Sequence, residues 1–135
     1  TLTNIRGNNQ FVLNMVSESF AEKMVMCSTD FDSNVDEFEI SGLNPIASDK
    51  INPPRLLESK VSFECELNQI VEIGNSDAGS GFIVIGTVLL FHIDDEVYEN
   101  GRILLDKLEP IGRLAGNKYT RPSDVFEISR KIKPE

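Results

Sequence analysis

The sequence predicts a mainly β domain with small flanking helices, most simply a barrel. Three observations carry this. "KVSFECELNQIVEI" alternates apolar and polar residues with a period of two. "FIVIGTVLLFHID" follows it after a Gly- and Ser-rich break as a second long strand, and helical spacing is confined to short stretches near the N-terminus. The 135 residues amount to a single domain, 1–135, and 40% apolar residues are enough to build its core.

Taken in order, "TLTNIRGN" reads as a short helix or turn, with Thr1 or Thr3 as its cap and Gly7 as its stop. "QFVLNMV" (Gln10 to Val16) is a strand rich in β-formers. Ser19 and Glu22 have the spacing of a capping box, and Phe20, Met24 and Cys27 recur at helical intervals to about Ser28. The stretch from Thr29 to Arg55 is long, acidic and broken by Pro and Gly. Such loops are functional or contain a short helix, and its "NPPR" end is extended.

In the first long strand Val61, Phe63, Cys65 and Leu67 share one face, and Ser62, Glu64 and Glu66 form the wet one. "GNSDAGSG" is a hairpin loop. The return strand is almost continuously apolar and is expected to be buried on both faces, with Gly86 marking a bulge or a close approach. "ENGR" is a turn with Asn100-Gly101 at its tip, "LDKLEPIGRLAGNKYT" is irregular and exposed, and "DVFEISR" is a last strand.

Charge narrows the function classes. Thirteen basic against 22 acidic residues give −9, which repels nucleic-acid backbones and anionic membrane surfaces. Neither is an expected partner, and the short basic end "SRKIKPE" reads as solvated. The apolar run Phe82 to Phe91 has about half the length of a spanning helix, and no signal-peptide pattern is visible. Cys27 and Cys65 read as buried thiols, which suits a reducing cytoplasm. The chain begins at Thr1 without Met and enters structured sequence at once, so a fragment, or a chain whose first portion is missing, is expected.

Tests for chemistry exclude more than they admit. One His and two separated Cys assemble no zinc set, and no metal is expected. No nucleophile motif accompanies His92. The acidic run from Asp30 to Glu39 reads as a solvated loop rather than a calcium or acid–base site, and "GNSDAGSG" lacks the Lys of a phosphate loop. "TLTNIRGN" places hydroxyls and free N–H groups where a phosphate could bind. His92 has two readings: a neutral ring satisfied in the strand, or a site residue. Arg113 and Tyr119 bracket glycines in an irregular loop. They are either a surface charge and a half-buried ring, or groups that approach a flat ligand closely.

The ordered set of segments is similar to a known family. "TLTNIRGNNQFVLNMVSESFAEKM" resembles a "DTLxNI" turn leading into a "GEFVVNxV" strand and a helix. "DEFEISGLNPIASDKINPPR", "GTVLLFHIDDEV" and "LEPIGRLAGNKY" resemble that family's acidic loop with "PPR", its G-x-V-x-x-x-H strand and its "P-x-G-R-L-G-G-x-x-Y" loop. The family is the flavin reductase-like, or flavoredoxin-like, FMN-binding split barrels. The resemblance implies a homodimeric split β-barrel binding FMN, with some sixty further residues and the first barrel strands ahead of Thr1. It implies FMN phosphate contact from Thr1 and Thr3, a flavin-facing His92, and a loop of Arg113, Leu114 and Tyr119 near the flavin ring. Ala115 departs from the pattern, which has Gly there. Asn14 matches the family's strand-end Asn, although capping the next helix explains it equally well. The implied function is an NAD(P)H-dependent flavin reductase. The alternatives are an FMN-binding electron carrier or flavin store, and a flavin-less structural dimer.

Overall fold

A computed structural model describes residues 1–32, 34–75 and 79–130. The middle of the expected hairpin loop (76–78) and most of the basic end (131–135) lie outside the described residues. The elements run α1 (Leu2–Asn8), β1 (Gln10–Asn14), α2 (Ala21–Met26), α3 (Glu37–Ser41), β2 (Pro45–Ile46), β3 (Arg55–Leu56), β4 (Val61–Ile73) and β5 (Gly81–Ile93). They continue with β6 (Tyr98–Glu99), β7 (Arg102–Ile103), α4 (Leu105–Leu108), β8 (Gly112–Arg113) and β9 (Tyr119–Thr120).

The helix ends follow tertiary partners more than local signals. α1 runs through Gly7 and stops at Asn9, which takes the left-handed conformation (φ 54°) that Asn tolerates among non-glycines. The capping box at Ser19 and Glu22 does not form. A 3-10 turn, Glu18–Phe20, occupies that stretch, and α2 follows it with no side-chain cap. Ser17 lies before the turn, where its hydroxyl donates to the Leu108 carbonyl at 2.6 Å. Of the two readings of the long acidic loop, the short helix is present as α3, where the Asp36 carboxylate accepts from the Phe38 N–H at 2.9 Å.

The centre of the molecule is an antiparallel sheet of order β1-β4-β5. β4 and β5 pair over their full length, with Phe63 opposite Phe91 and Ser62 opposite His92. The ladder slips beside Gly86: Leu67 faces Gly86 and Gln69 faces Ile85. A Cβ on Gly86 would lie 2.5 Å from Phe11 Cζ, so both the bulge and the close approach expected there are present.

Two expectations about burial are corrected. The polar face of β4 is not wet at its start, because Ser62 and Glu64 are fully buried under the segment carrying Asp49, Lys50 and Leu56. β5 is not buried on both faces. It is an edge strand, and among the described residues nothing pairs with its outer side, so Phe91 is 58% exposed and Ile83, Ile85, Val88 and Leu89 are exposed with it.

The compact core is Val61, Val97 and Leu108, with Met15 and Phe63 packed against them. Asn100 and Gly101 both take positive φ at the tip of the β6–β7 hairpin, as that dipeptide predicts. The following segment is more regular than expected, forming α4 and the β8–β9 hairpin. "DVFEISR" forms no strand, since it pairs with no ladder in this fold. Both cysteines are free, Cys65 buried and Cys27 partly so. No helix among the described residues is long and apolar enough to cross a membrane.

Candidate functional site

His92 lies near the end of β5, and its ring turns toward β4 rather than standing free. Its Nε2 is 2.5 Å from Glu64 Oε1 and 4.0 Å from the exposed Asp49 carboxylate. Glu64 is the hub. Its side chain is completely buried, Oε1 also accepts the Asp49 N–H at 2.8 Å, and Oε2 accepts the Lys50 N–H at 2.7 Å. Arg55 Nε lies 3.9 Å from Oε1 as an ion pair, buried and without a hydrogen-bond partner. One nitrogen and two carboxylate oxygens of Asp49, Glu64 and His92 thus fall within 4.8 Å, with both Glu64 oxygens already served by protein donors.

Burial is the largest single influence on Glu64 and pushes its carboxyl up. The Asp49 N–H, the His92 ring and the Lys50 N–H together outweigh it, so the group titrates below its ordinary value. An unfolded Glu titrates near about 4.3, so Glu64 contributes stability at pH values above that, and the contribution is lost as pH falls through the lower folded value. Glu58 is lowered in the same way, with burial opposed chiefly by hydrogen bonds from Asn44. Unfolding free energy is therefore expected to be flat above about pH 5 and to fall steeply below about pH 4. Urea titrations across that range check this, and a decline that begins near neutrality contradicts it.

Asn14 does not cap the next helix. Its Oδ1 accepts from the Ser62 hydroxyl at 2.8 Å and from the Leu56 N–H at 3.2 Å, tying β1, β3 and β4 together. Below this hub a cleft of about 410 Å³ opens, lined by Arg55, Leu57, Lys60, Phe91, His92 and Asp94.

The other expected site residues lie elsewhere. Arg113 and Tyr119 face each other across the β8–β9 hairpin. The guanidinium is 5.5 Å from the ring centre and donates to the Tyr119 oxygen and the Gly116 carbonyl. Leu114 is 51% exposed beside them. Thr1 and Thr3 are exposed on α1, and the Thr1 hydroxyl makes no cap bond. Thr1 lines a separate cleft of about 490 Å³ with Asn4, Asn34, Asp36 and Glu37. Among the described residues no hydrogen bond or ion pair joins the Thr1, His92 and Arg113 groups to one another. Glu64, Asp49 and Arg55 were missed by sequence reasoning. Alternation alone placed Glu64 on a solvated face.

The family model described as the flavin reductase like domain matches residues 1–111. The chain belongs to this family. An uncharacterised protein of Aquifex aeolicus is 38% identical over 122 residues, which is 90% of this chain and 60% of that protein. Nitrilotriacetate monooxygenase component B from Bacillus cereus superposes with a TM-score of 0.87 at 30% identity, covering 94% of this chain and 63% of that one. A flavin reductase with a split barrel domain from Shewanella frigidimarina superposes with a TM-score of 0.81 at 23% identity, covering 96% and 65%. The fold of the flavin reductase-like chain is therefore that split barrel, and the chain spans less than two thirds of each of these relatives.

Some of the groups that suit a flavin mononucleotide are present on this flavin reductase-like chain. The phosphate accepts hydrogen bonds, and the Thr1 cleft offers an uncommitted hydroxyl and the amides of Asn4 and Asn34. Asp36 and Glu37 line the same cleft and oppose the phosphate charge, so the matching cation is not among the residues lining it. A flat ring suits an apolar and cationic surface, and the hairpin of Arg113, Leu114 and Tyr119 carries residues of those types.

Proposed function

We propose that this chain is the larger part of an FMN-binding flavoprotein that acts as a cytoplasmic, homodimeric, NAD(P)H-dependent flavin reductase. The observation carrying this reading is the family match, which runs without a break from Thr1 through the G-x-V-x-x-x-H strand. The chemistry FMN would supply when bound is two-electron exchange with a reduced nicotinamide. The protein's own residues bind and orient. Thr1, with Thr3 two positions on in the chain, would hold the phosphate through its hydroxyl. Arg113, Leu114 and Tyr119 would wall the ring. His92, set by its bond to Glu64, would fix the edge of the cleft beneath β5.

The test is anaerobic mixing of the full-length protein, FMN and NADH or NADPH. The visible flavin band is expected to bleach with at least one nucleotide, and a band untouched by both rules the reductase out. The net charge of −9 favours a second reading, an electron carrier that meets basic redox partners. Bleaching by a partner reductase but by neither nucleotide selects it.

A further inference from the structure

The groups bonded to Glu64 all lie between Asp49 and His92, on residues that the structure describes. A fully buried carboxylate is costly unless donors surround it, and a clamp for the Asp49 and Lys50 N–H groups needs only one acceptor for each. Glu64 does more than clamp that segment. Its Oε1 also meets Nε2 of His92, the single histidine of the chain, at 2.5 Å.

The proton in that contact belongs to the ring. Burial pushes the Glu64 carboxyl up, but the two backbone N–H groups and the ring outweigh it, so the group is ionised at neutral pH. Arg55 Nε, 3.9 Å from Oε1 and without a hydrogen-bond partner, favours the same form. An ionised carboxylate only accepts, so Nε2 donates. The Asp49 carboxylate, 4.0 Å from Nε2, is a further acceptor on that side of the ring. A neutral imidazole carries one proton, and with that proton on Nε2 the Nδ1 atom keeps a lone pair. Among the described residues Nδ1 has no hydrogen-bond partner, and Arg55 Nε is the one sealed side-chain atom in that condition, so Nδ1 is not sealed.

We propose that Glu64 is a positioning residue for His92: it locks the ring in the Nε2–H tautomer and presents Nδ1 as a hydrogen-bond acceptor to a bound ring carrying an N–H at its edge. The inference deepens the function proposed above and rests on it for the ligand. Both rings of that reaction carry such a donor, the flavin in its imide and the nicotinamide in its carboxamide. A free imidazole in water divides between two tautomers, and the one with a protonated Nδ1 would set a donor against that N–H. The bond to Glu64 removes this form before a ligand arrives, which lowers the cost of binding.

The test uses the full-length protein with isotopically labelled histidine, the His92 signals being assigned by their loss in His92→Gln. Ring-nitrogen NMR at about pH 8, above the ordinary histidine range, is expected to show one neutral form with Nε2 protonated and Nδ1 bare. A mixture of tautomers, a proton on Nδ1 or a ring still charged there overturns the proposal. In Glu64→Gln, recorded well below its melting transition, the new amide donates as well as accepts, and the ring should become a mixture. A ring unchanged in that variant overturns the proposal too.

His92→Gln separates positioning from folding, because its amide nitrogen can stand in for Nε2 as donor to Glu64 while nothing replaces Nδ1. Its melting temperature is expected to stay near the parent's. Either the Kd for FMN, titrated by flavin absorbance, or the KM for the reduced nicotinamide should rise about tenfold. A rise in the FMN Kd places the N–H on the flavin, and a rise in KM alone places it on the nicotinamide. If neither constant moves, the bond to Glu64 is structural only and the proposal fails. A colourless protein whose ring is locked refutes the flavoprotein reading and upholds the hold of Glu64 on His92. A yellow protein with an unlocked ring refutes the positioning role alone.

Discussion

Glu64→Gln is expected to lower the unfolding free energy by about 3 kcal/mol, enough to bring the melting temperature down by roughly 10 °C. The carboxylate presents acceptors to three donors at once: the Asp49 N–H, the Lys50 N–H and the His92 ring. A glutamine keeps the shape but exchanges one acceptor oxygen for a donor NH₂. Whichever way the amide turns, one buried backbone N–H then faces another donor. The lost negative charge also leaves Arg55 without its ion-pair partner. His92→Ala removes only one of the three donors and should cost less. A variant melting within about 2 °C of the parent would mean that water replaces the carboxylate, contrary to its complete burial. The same substitution should flatten the acid limb of the stability profile, since it deletes a titrating group whose folded pKa is lowered.

The second large effect is expected at Gly86→Val, about 2 kcal/mol destabilising in a urea titration. The first added carbon would lie 2.5 Å from Phe11 Cζ and 3.2 Å from Cys65 Cβ. The Phe11 ring can move, whereas Cys65 is buried in the middle of β4 and cannot yield without shifting a central strand. Replacing a strand glycine by a β-branched residue normally gains up to about 1 kcal/mol, so the overlap must exceed that gain for the prediction to hold. A neutral or stabilised variant would show that Phe11 swings aside freely.

Legibility in the sequence tracks the range of the interaction that decides each element. The β4–β5 ribbon and the Asn100-Gly101 turn were readable, because each is governed by residues close in sequence, whereas the acidic loop left a short helix as one of two readings. The capping box at Ser19 failed because Glu18 and Ser17 are claimed from far along the chain, by Arg121 and Leu108. Glu64 was misplaced on a solvated face for the same reason. Period-two alternation says which residues share a side, and not which side a distant loop will cover. The apolar run of β5 read as buried because composition reports a need for cover, while the described residues leave that strand at an edge. The family motifs in the chain were legible as an ordered set, yet the fold holds Thr1, His92 and Arg113 as three separate groups.

The bonds from Ser17 to Leu108 and from Glu18 to Arg121 join residues 91 and 103 positions apart. Together with β1, whose ladder partner in β4 lies some fifty positions downstream, they are non-local pairings whose loop closure must precede any gain from the contact. Non-local pairings of this kind slow folding relative to local ones. During synthesis, moreover, β1 has no ladder partner until β4, some fifty positions downstream, has left the ribosome. Over that interval the β-rich N-terminal segments stand unpaired, and crowding or a slow translation step is most costly to the yield of this protein there.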